Sequence, residues 1–349
     1  MCEIKRGVRR MFEDMRRKGK KILSNILETI GNTPLVKLNR LTEGIEAAVL
    51  AKLEFFNPGG SVKDRIGIFM IEDAQKKGLI KPGYTIVEPT SGNTGLGLAL
   101  AAIIKGYKVI CTIPDKMSAE KIDLLKALGA AVIITPTAVA PDDPNNYVKV
   151  AERIAGEQPN TFMPNQYFNP ANPEIHYRTT GPEIWEQTEG NLDALVAGMG
   201  TGGTITGVGK YLKEKKPSIR IVGVDPEGSL YHHEFRGTSG EIHTYKVEGI
   251  GEDFIPSNLD LKIVDEIVVV SDKDAFQTAR RLAAQEGVFA GGSSGASVFA
   301  SLQVARKLNK NQTVVAILPD TGRNYLTKIY SDEWMRRNGF LEAPEGGKL

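Results

Sequence analysis

Four short stretches of this sequence hold residue types suited to anion and amine chemistry. Gly200-Thr201-Gly202-Gly203-Thr204 lies between an apolar run and a helical stretch. Glycines let backbone N–H groups converge on an anion, a helix N-terminus favours negative charge, and Thr hydroxyls add donors, so this loop reads as a phosphate cradle. Gly198, Gly200 and Gly203 also satisfy the dinucleotide pattern G-x-G-x-x-G, with Asp225 ending the next apolar run at about the ribose-binding spacing. A nicotinamide oxidoreductase therefore competes on this loop, as does a Gly-rich turn that binds nothing. Ser61-Val62-Lys63-Asp64-Arg65 follows Gly59-Gly60. A lysine there falls in the first turn of a helix, where the dipole and Arg65 would disfavour its ammonium form. A lowered amine pKa suits Schiff-base chemistry. The plainer reading is an exposed helix lysine, with Asp64 and Arg65 in structural ion pairs. Thr90-Ser91-Gly92-Asn93-Thr94-Gly95 offers backbone N–H groups, hydroxyls and an amide at a helix start, a nest suited to an α-carboxylate, or simply a capped strand–helix turn. Leu318-Pro319-Asp320-Thr321 closes the set. A dehydrogenase explains the first loop and leaves the other three without a role.

The elements that must position these loops are β-rich apolar runs at Thr85–Glu88, Lys108–Ile113, Ala131–Thr135, Ala194–Gly198, Ile219–Val224, Ile267–Val270 and Val314–Leu318. Most lack in/out alternation, which predicts strands buried on both faces of a parallel sheet. Helical stretches fall between them: Thr94–Lys105, Ser118–Leu128 with Ser118 as its cap and Gly129 beyond its end, Asp272–Glu286 and Ser293–Leu308. Strand alternating with helix predicts a doubly wound, open parallel α/β architecture. In such sheets ligands bind beyond the carboxyl ends of the strands, where the four loops fall. The Asn/Pro-rich segment Asn165–Pro173 is the candidate crossover between lobes, a smaller one over about 48–167 and a larger one over 22–47 plus 168–349.

The 349 residues are 41% hydrophobic and 25% charged, with 44 basic and 42 acidic side chains for a formal charge of +2. No global field argues for nucleic acid or a membrane surface, and no apolar run approaches the roughly 20 residues of a membrane span. Cys2 and Cys111 are the only cysteines. That gives neither a disulfide framework nor a metal-ligand pair, and it suits a reducing, cytoplasmic setting. No metal site is expected. Met1–Lys21 is strongly basic but carries Glu3, Glu13 and Asp14 and no Ser. It reads better as a basic surface or dimer-contact helix than as a transit peptide.

Taken in order, S-V-K-D-R, T-S-G-N-T-G and G-T-G-G-T resemble the β-family (fold type II, tryptophan synthase β-like) of pyridoxal-phosphate enzymes, which includes cysteine synthase and cystathionine β-synthase. The resemblance runs from Glu28-Thr29-Ile30-Gly31-Asn32-Thr33-Pro34-Leu35 to about Phe340. It implies pyridoxal 5′-phosphate held as a Schiff base by Lys63, with Asn93 on the ring hydroxyl and Gly200, Thr201, Gly202, Gly203 and Thr204 on the phosphate. Thr90, Ser91, Asn93 and Thr94, with Gln166, would hold the substrate carboxylate. Thr321 would face the pyridine nitrogen. A hydroxyl there leaves the nitrogen uncharged and favours β-elimination over transamination; Asp320 beside it could compete. The segments Glu54–Gly60, Lys116–Lys121, Val224–Ser229, Glu248–Pro256 and Arg323–Lys328 resemble the catalytic core of cystathionine β-synthase. Tyr167, Gly249 and Gly251 then fall near the second substrate. The implied reaction joins L-serine or an O-acylserine to L-homocysteine through an aminoacrylate, with cysteine synthase (O-acetylserine plus sulfide) as the alternative and a homodimer as the expected assembly. Neither a haem-binding extension nor a C-terminal regulatory module is expected.

Overall fold

The computed structural model describes residues 22–140 and 142–342. The basic segment before residue 22, with the helix expected there, lies outside the described residues.

Two open sheets form the architecture. The larger has the order β1-β2-β10-β7-β8-β9, built from β1 (Leu35–Lys37), β2 (Ala48–Leu53), β7 (Ala194–Gly198), β8 (Arg220–Pro226), β9 (Glu266–Val270) and β10 (Thr313–Leu318). β1 pairs antiparallel with β2, and every other pairing in this sheet is parallel. The smaller has the order β5-β4-β3-β6, all parallel, from β3 (Thr85–Pro89), β4 (Lys108–Pro114), β5 (Ala131–Thr135) and β6 (Thr161–Phe162). All seven strands expected from the apolar runs are present. β1, β2 and β6 are additional to those runs. β1 and β6 are too short to show a pattern, and Lys52 interrupts the apolar run of β2 one residue before its end. β5 is an edge strand with Ile133 and Ile134 exposed, because only β4 pairs with it. Burial on both faces therefore fails at this edge, whereas the edge strand β9 keeps it, with Ile267 in one core and Val268 and Val270 in the other.

β10 shows how a continuous apolar run serves two cores. Val314, Ala316 and Leu318 face one side with α9 (Asp272–Glu286) and α10 (Gly292–Ala305). Val315 and Ile317 face the other with α7 (Gly203–Lys215). This is the period-two geometry of a strand covered on both faces. The smaller sheet packs with α1 (Lys63–Lys76), α2 (Asn93–Lys105) and α3 (Ala119–Ala127) around Ile66, Leu98, Ile86 and Leu125. The remaining helices are α4 (Tyr147–Glu157), α5 (Ala171–Ile175), α6 (Gly181–Gln187), α8 (Tyr231–Arg236) and α11 (Asp332–Arg337), with a π-turn at His176–Thr180 between α5 and α6.

Two expectations are corrected. Residues 48–53, placed in the smaller lobe, pair in register with Thr313–Leu318 of the larger sheet. The chain enters the smaller unit only at α1, through the loop that holds Gly59 and Gly60. It returns after β6, across the Asn165–Pro173 segment. Ser118 precedes α3 with extended dihedrals, but its buried hydroxyl makes no capping bond.

Candidate active site

Lys63 opens α1, and its backbone N–H donates to Ser61 Oγ at 3.2 Å. The placement of α1 depends on glycine. A Cβ at Gly97 of α2 would lie 2.5 Å from the Lys63 carbonyl oxygen, so only glycine lets α2 press against the first turn of α1. Behind Lys63, Arg65 forks between Glu54 and Glu183, with Nε 2.7 Å from Glu54 Oε2 and Nη1 2.7 Å from Glu183 Oε1. Lys52 adds a bond to Glu183 at 2.8 Å. This buried cluster ties α1 to the end of β2 and to α6. Burial pushes the Lys63 amine down to about 8; Asp320 opposes the shift and Lys121 adds to it. The expected shift is present, but its assigned neighbour was wrong. Arg65 is consumed by two carboxylates, and Lys121 is the cation that acts on Lys63. The structural ion pairs expected of Arg65 are thus present, whereas Asp64 makes none. It accepts from the Gly59 N–H at 2.5 Å, and burial raises it to about 7.

The loop from Thr90 turns into α2 through Gly92 at φ +116°. Thr90 Oγ1 accepts from the Gly92 N–H at 3.0 Å. Thr94 Oγ1 donates to Gln166 Oε1 at 2.6 Å, and the Gln166 amide donates to the Pro89 carbonyl. The two residues expected on one substrate carboxylate are thus bonded to each other across 72 positions of chain. Ser91 and Asn93 are half-buried beside them. Asn93 Nδ2 donates to Asp320 Oδ2 at 2.8 Å, and Tyr325 donates to the same oxygen at 2.5 Å. Burial raises the Asp320 carboxyl; Lys121 and these two donors offset part of that. The Thr321 hydroxyl accepts from the Arg323 N–H at 3.3 Å, which leaves its own proton available. Asp320 thus gives Oδ2 to Asn93 and Tyr325, while its Oδ1 is buried without a partner.

The Gly200–Thr204 loop leaves β7 and enters α7. Gly202 takes φ +81°, and a Cβ there would sit 2.7 Å from the Leu259 backbone nitrogen. Thr201 Oγ1 accepts from Asn172 at 2.9 Å and Thr204 Oγ1 pairs with His176 Nε2 at 3.2 Å. The Gly249 carbonyl packs against Gly200, and the Gly251 N–H donates to the Met199 carbonyl at 2.6 Å. The dinucleotide reading fails at Asp225. Its side chain is buried and accepts from the His232 N–H at 3.0 Å and from the His232 ring, so it faces inward and holds the start of α8.

Several residues around the site carry no role in the sequence reading, although Lys121, Glu248, Glu252 and Lys328 lie in segments that resemble the family. Glu88, a charge inside a buried strand, accepts the N–H groups of Asn165 and Gln166, both at 2.8 Å, and so fixes the Gln166 backbone; burial raises its carboxyl to about 8. Asn172 and Asn258 both donate to the Gln166 carbonyl. Lys121 of α3 and Lys328 clamp Glu248 at 2.7 and 2.6 Å. Glu252 accepts from Tyr167 at 2.7 Å. The odd charge in β3 is a signal readable in the sequence; the pairings of the others are made only in space.

This donor set fits a phosphorylated aldehyde. The first-turn amides of α7 and the Thr201 and Thr204 hydroxyls suit a phosphate, on a loop packed so closely against Leu259 that position 202 admits no Cβ. Lys63 supplies an amine that is partly neutral at pH 7–8. Among the described residues, no group of three or more His, Cys, Asp and Glu side chains is placed to hold a metal ion. Residues 26–320 match the family model described as pyridoxal-phosphate dependent enzyme. The chain belongs to this family. Its cofactor is pyridoxal 5′-phosphate, and its fold is the type II architecture of that family. A cystathionine beta-synthase of Oryctolagus cuniculus is 52% identical over 330 residues, 94% of this chain and 60% of that protein. The chain therefore spans about three-fifths of the length of that relative. Among solved structures, the O-acetylserine dependent cystathionine beta-synthase from Helicobacter pylori matches at a TM-score of 0.82 and 41% identity, covering 89% of this chain and all of that one. A hydrogen sulfide-producing enzyme from Fusobacterium nucleatum matches at 0.82 and 38%, covering 87% of this chain and all of that one.

Proposed function

We propose that this protein catalyses β-replacement, joining L-serine or an O-acylserine to L-homocysteine to give L-cystathionine. The observation that carries the reading is the Lys63 amine, held at about 8 between a nest suited to a carboxylate and a cradle suited to a phosphate. The cofactor, when bound, withdraws electrons from the substrate α-carbon and so eases departure of the β-substituent. Lys63 would hold the cofactor's aldehyde carbon and, once displaced by substrate, take the α-proton and later return it, a task suited to an amine titrating near neutrality. Gly200 through Thr204 would bind the phosphate and Asn93 the ring hydroxyl. Thr90, Ser91 and Thr94, with Gln166, would orient the substrate carboxylate. Thr321, with its hydroxyl proton free, would meet the ring nitrogen without charging it. Tyr167, Gly249 and Gly251 would line the pocket of the second substrate.

The likeness to an O-acetylserine dependent synthase supports O-acetylserine as an alternative donor. Cysteine synthesis from O-acetylserine and sulfide is the second reading. No helix among the described residues is long and apolar enough to cross a membrane, and a cytoplasmic setting accords with the cysteine usage. A homodimer is supported by Ile26, Ile103 and Ile104, exposed on the 3-10 turn Ile26–Thr29 and on the helix α2 against which that turn packs. Turnover of serine plus homocysteine against O-acetylserine plus sulfide, with products identified by mass, tests the proposal. Cystathionine as the main product supports it, and cysteine from the second pair alone replaces it with the second reading.

A further inference from the structure

We infer that Asp320 is a positioning residue for the cofactor's ring hydroxyl: it holds the Asn93 amide nitrogen-first toward the site, so that this oxygen meets a donor and is kept as an acceptor. The inference deepens the β-replacement reading and rests on its assignment of Asn93.

Asn93 stands close to Lys63. One turn further along α2, a Cβ at Gly97 would lie 2.5 Å from the Lys63 carbonyl oxygen. The loop that carries Asp320 is bonded to the loop that leads into Lys63. The Val62 N–H donates to the Pro319 carbonyl at 2.8 Å, and the Thr321 N–H donates to the Gly60 carbonyl at 3.2 Å. Asp320 is thus fastened to the start of α1 through backbone and to the start of α2 through Asn93.

Each end of the Asn93 amide has a partner of fixed sense. Nδ2 donates to Asp320 Oδ2 at 2.8 Å, and Oδ1 faces the Asn324 amide nitrogen at 3.5 Å. A carboxylate oxygen only accepts. Turning the amide over would set Asn93 Oδ1 against Asp320 Oδ2 and one nitrogen donor against another. Asp320 is not free to swing aside. Its Oδ2 also accepts from Tyr325 at 2.5 Å, and a side chain at Gly291 would strike both Asp320 Oδ1 and the Tyr325 ring. Lys121, over that ring at 4.7 Å, favours the charged carboxyl. Asp320 and Asn324 are buried, whereas Asn93 is half-buried. One of the two Asn93 N–H groups is spent on Asp320, and the other remains as a donor on the member of the cluster that reaches open surface.

The sense of the amide matters to the chemistry. An aromatic hydroxyl that meets an N–H donor is favoured without its proton. That proton passes to the nitrogen joining the cofactor to Lys63, which gains what the oxygen loses. The charge there is what draws electrons from the substrate α-carbon. With the amide oxygen facing the ring, the hydroxyl would keep its proton and that nitrogen would stay neutral.

The two proton arrangements absorb differently, the charged one in the visible and the neutral one in the near ultraviolet. The test therefore reads the spectrum of the resting holoenzyme, without turnover. The double variant Asp320→Leu with Tyr325→Phe removes the acceptor and its buried donor together, which keeps the shape of the site and leaves no stranded hydroxyl. Its ratio of visible to ultraviolet form should fall about tenfold, the worth of one hydrogen bond to a charged group. Tyr325→Phe alone should leave the ratio unchanged. Asp320→Asn keeps the acceptor and removes the charge, and should also retain the visible band. An unchanged spectrum in the double variant overturns the inference. So does an equal loss in Tyr325→Phe alone, or in Asp320→Asn, where charge rather than amide sense would be acting. Asn93→Leu should match the double variant; no shift there removes Asn93 from the ring hydroxyl and the inference with it. All these outcomes leave β-replacement itself to the product assay, which reads independently of the spectrum.

Discussion

The cradle at Gly200–Thr204 and the nest at Thr90–Thr94 face related tasks, since each must bind an anion, but they are built differently. The cradle is shaped by backbone. Gly202 takes a left-handed conformation where a side chain would strike Leu259, and the loop leads directly into a helix of 13 residues. The nest is shaped by side chains. Thr94, Gln166, Glu88, Asn93 and Asp320 hold one another across 72 to 227 positions of sequence. Beyond it, α3 is fastened to the opposite unit by Lys121 on Glu248 and by Glu120 accepting from the Thr327 N–H at 2.9 Å. A backbone site is preformed and insensitive to pH. A site of buried ionisable groups can be loosened by pH, by mutation or by substrate.

Gly202→Ala should be the most damaging change. The new Cβ meets backbone at a positive φ, so strain of about 2–3 kcal/mol is expected. Cofactor affinity measured by titration should fall about 100-fold, while Lys63 stays in place. Unchanged affinity would erase the distinction between the two loops. Lys121→Met should destabilise the fold by about 2 kcal/mol in urea titration, less than the usual cost of breaking a buried pair because Lys328 still neutralises Glu248. Adding Glu248→Gln should recover part of that loss. Thr94→Val removes the bond to Gln166 and should cost about 1–1.5 kcal/mol, read as a roughly tenfold rise in the amino-acid KM with kcat little changed.

The smallest effect concerns pH. The Glu88 carboxyl is raised to about 8 by burial, so its contribution to stability is complete below the ordinary carboxyl range and is lost as pH rises through about 8. The melting temperature should decline by about 3 °C between pH 6 and 9, and Glu88→Gln should flatten that decline. Glu183 runs the other way. Burial works against its charge, yet Arg65 and Lys52 outweigh it and hold the carboxyl at about 2. Its contribution is present above the ordinary carboxyl value and is lost as pH falls toward 2. Acid should therefore loosen the α1 anchor, and alkali the nest.

The sequence by itself determined the parallel α/β class, the seven long strands and the four loops at their carboxyl ends, because glycine placement, apolar runs and helix starts act over a few residues. It also placed Lys63 in a first helical turn, as observed. Only the tertiary structure decided what surrounds that lysine. Lys121 rather than Arg65 is its cationic neighbour, Asp320 serves Asn93 and Tyr325, and Asp225 turns inward to hold α8. It also moved β2 into the larger sheet and left the Ser118 hydroxyl without a capping bond. The physical reason is range. Backbone conformation is written locally, whereas the desolvation and charge pairing that set a pKa depend on groups the fold brings together from distant parts of the chain.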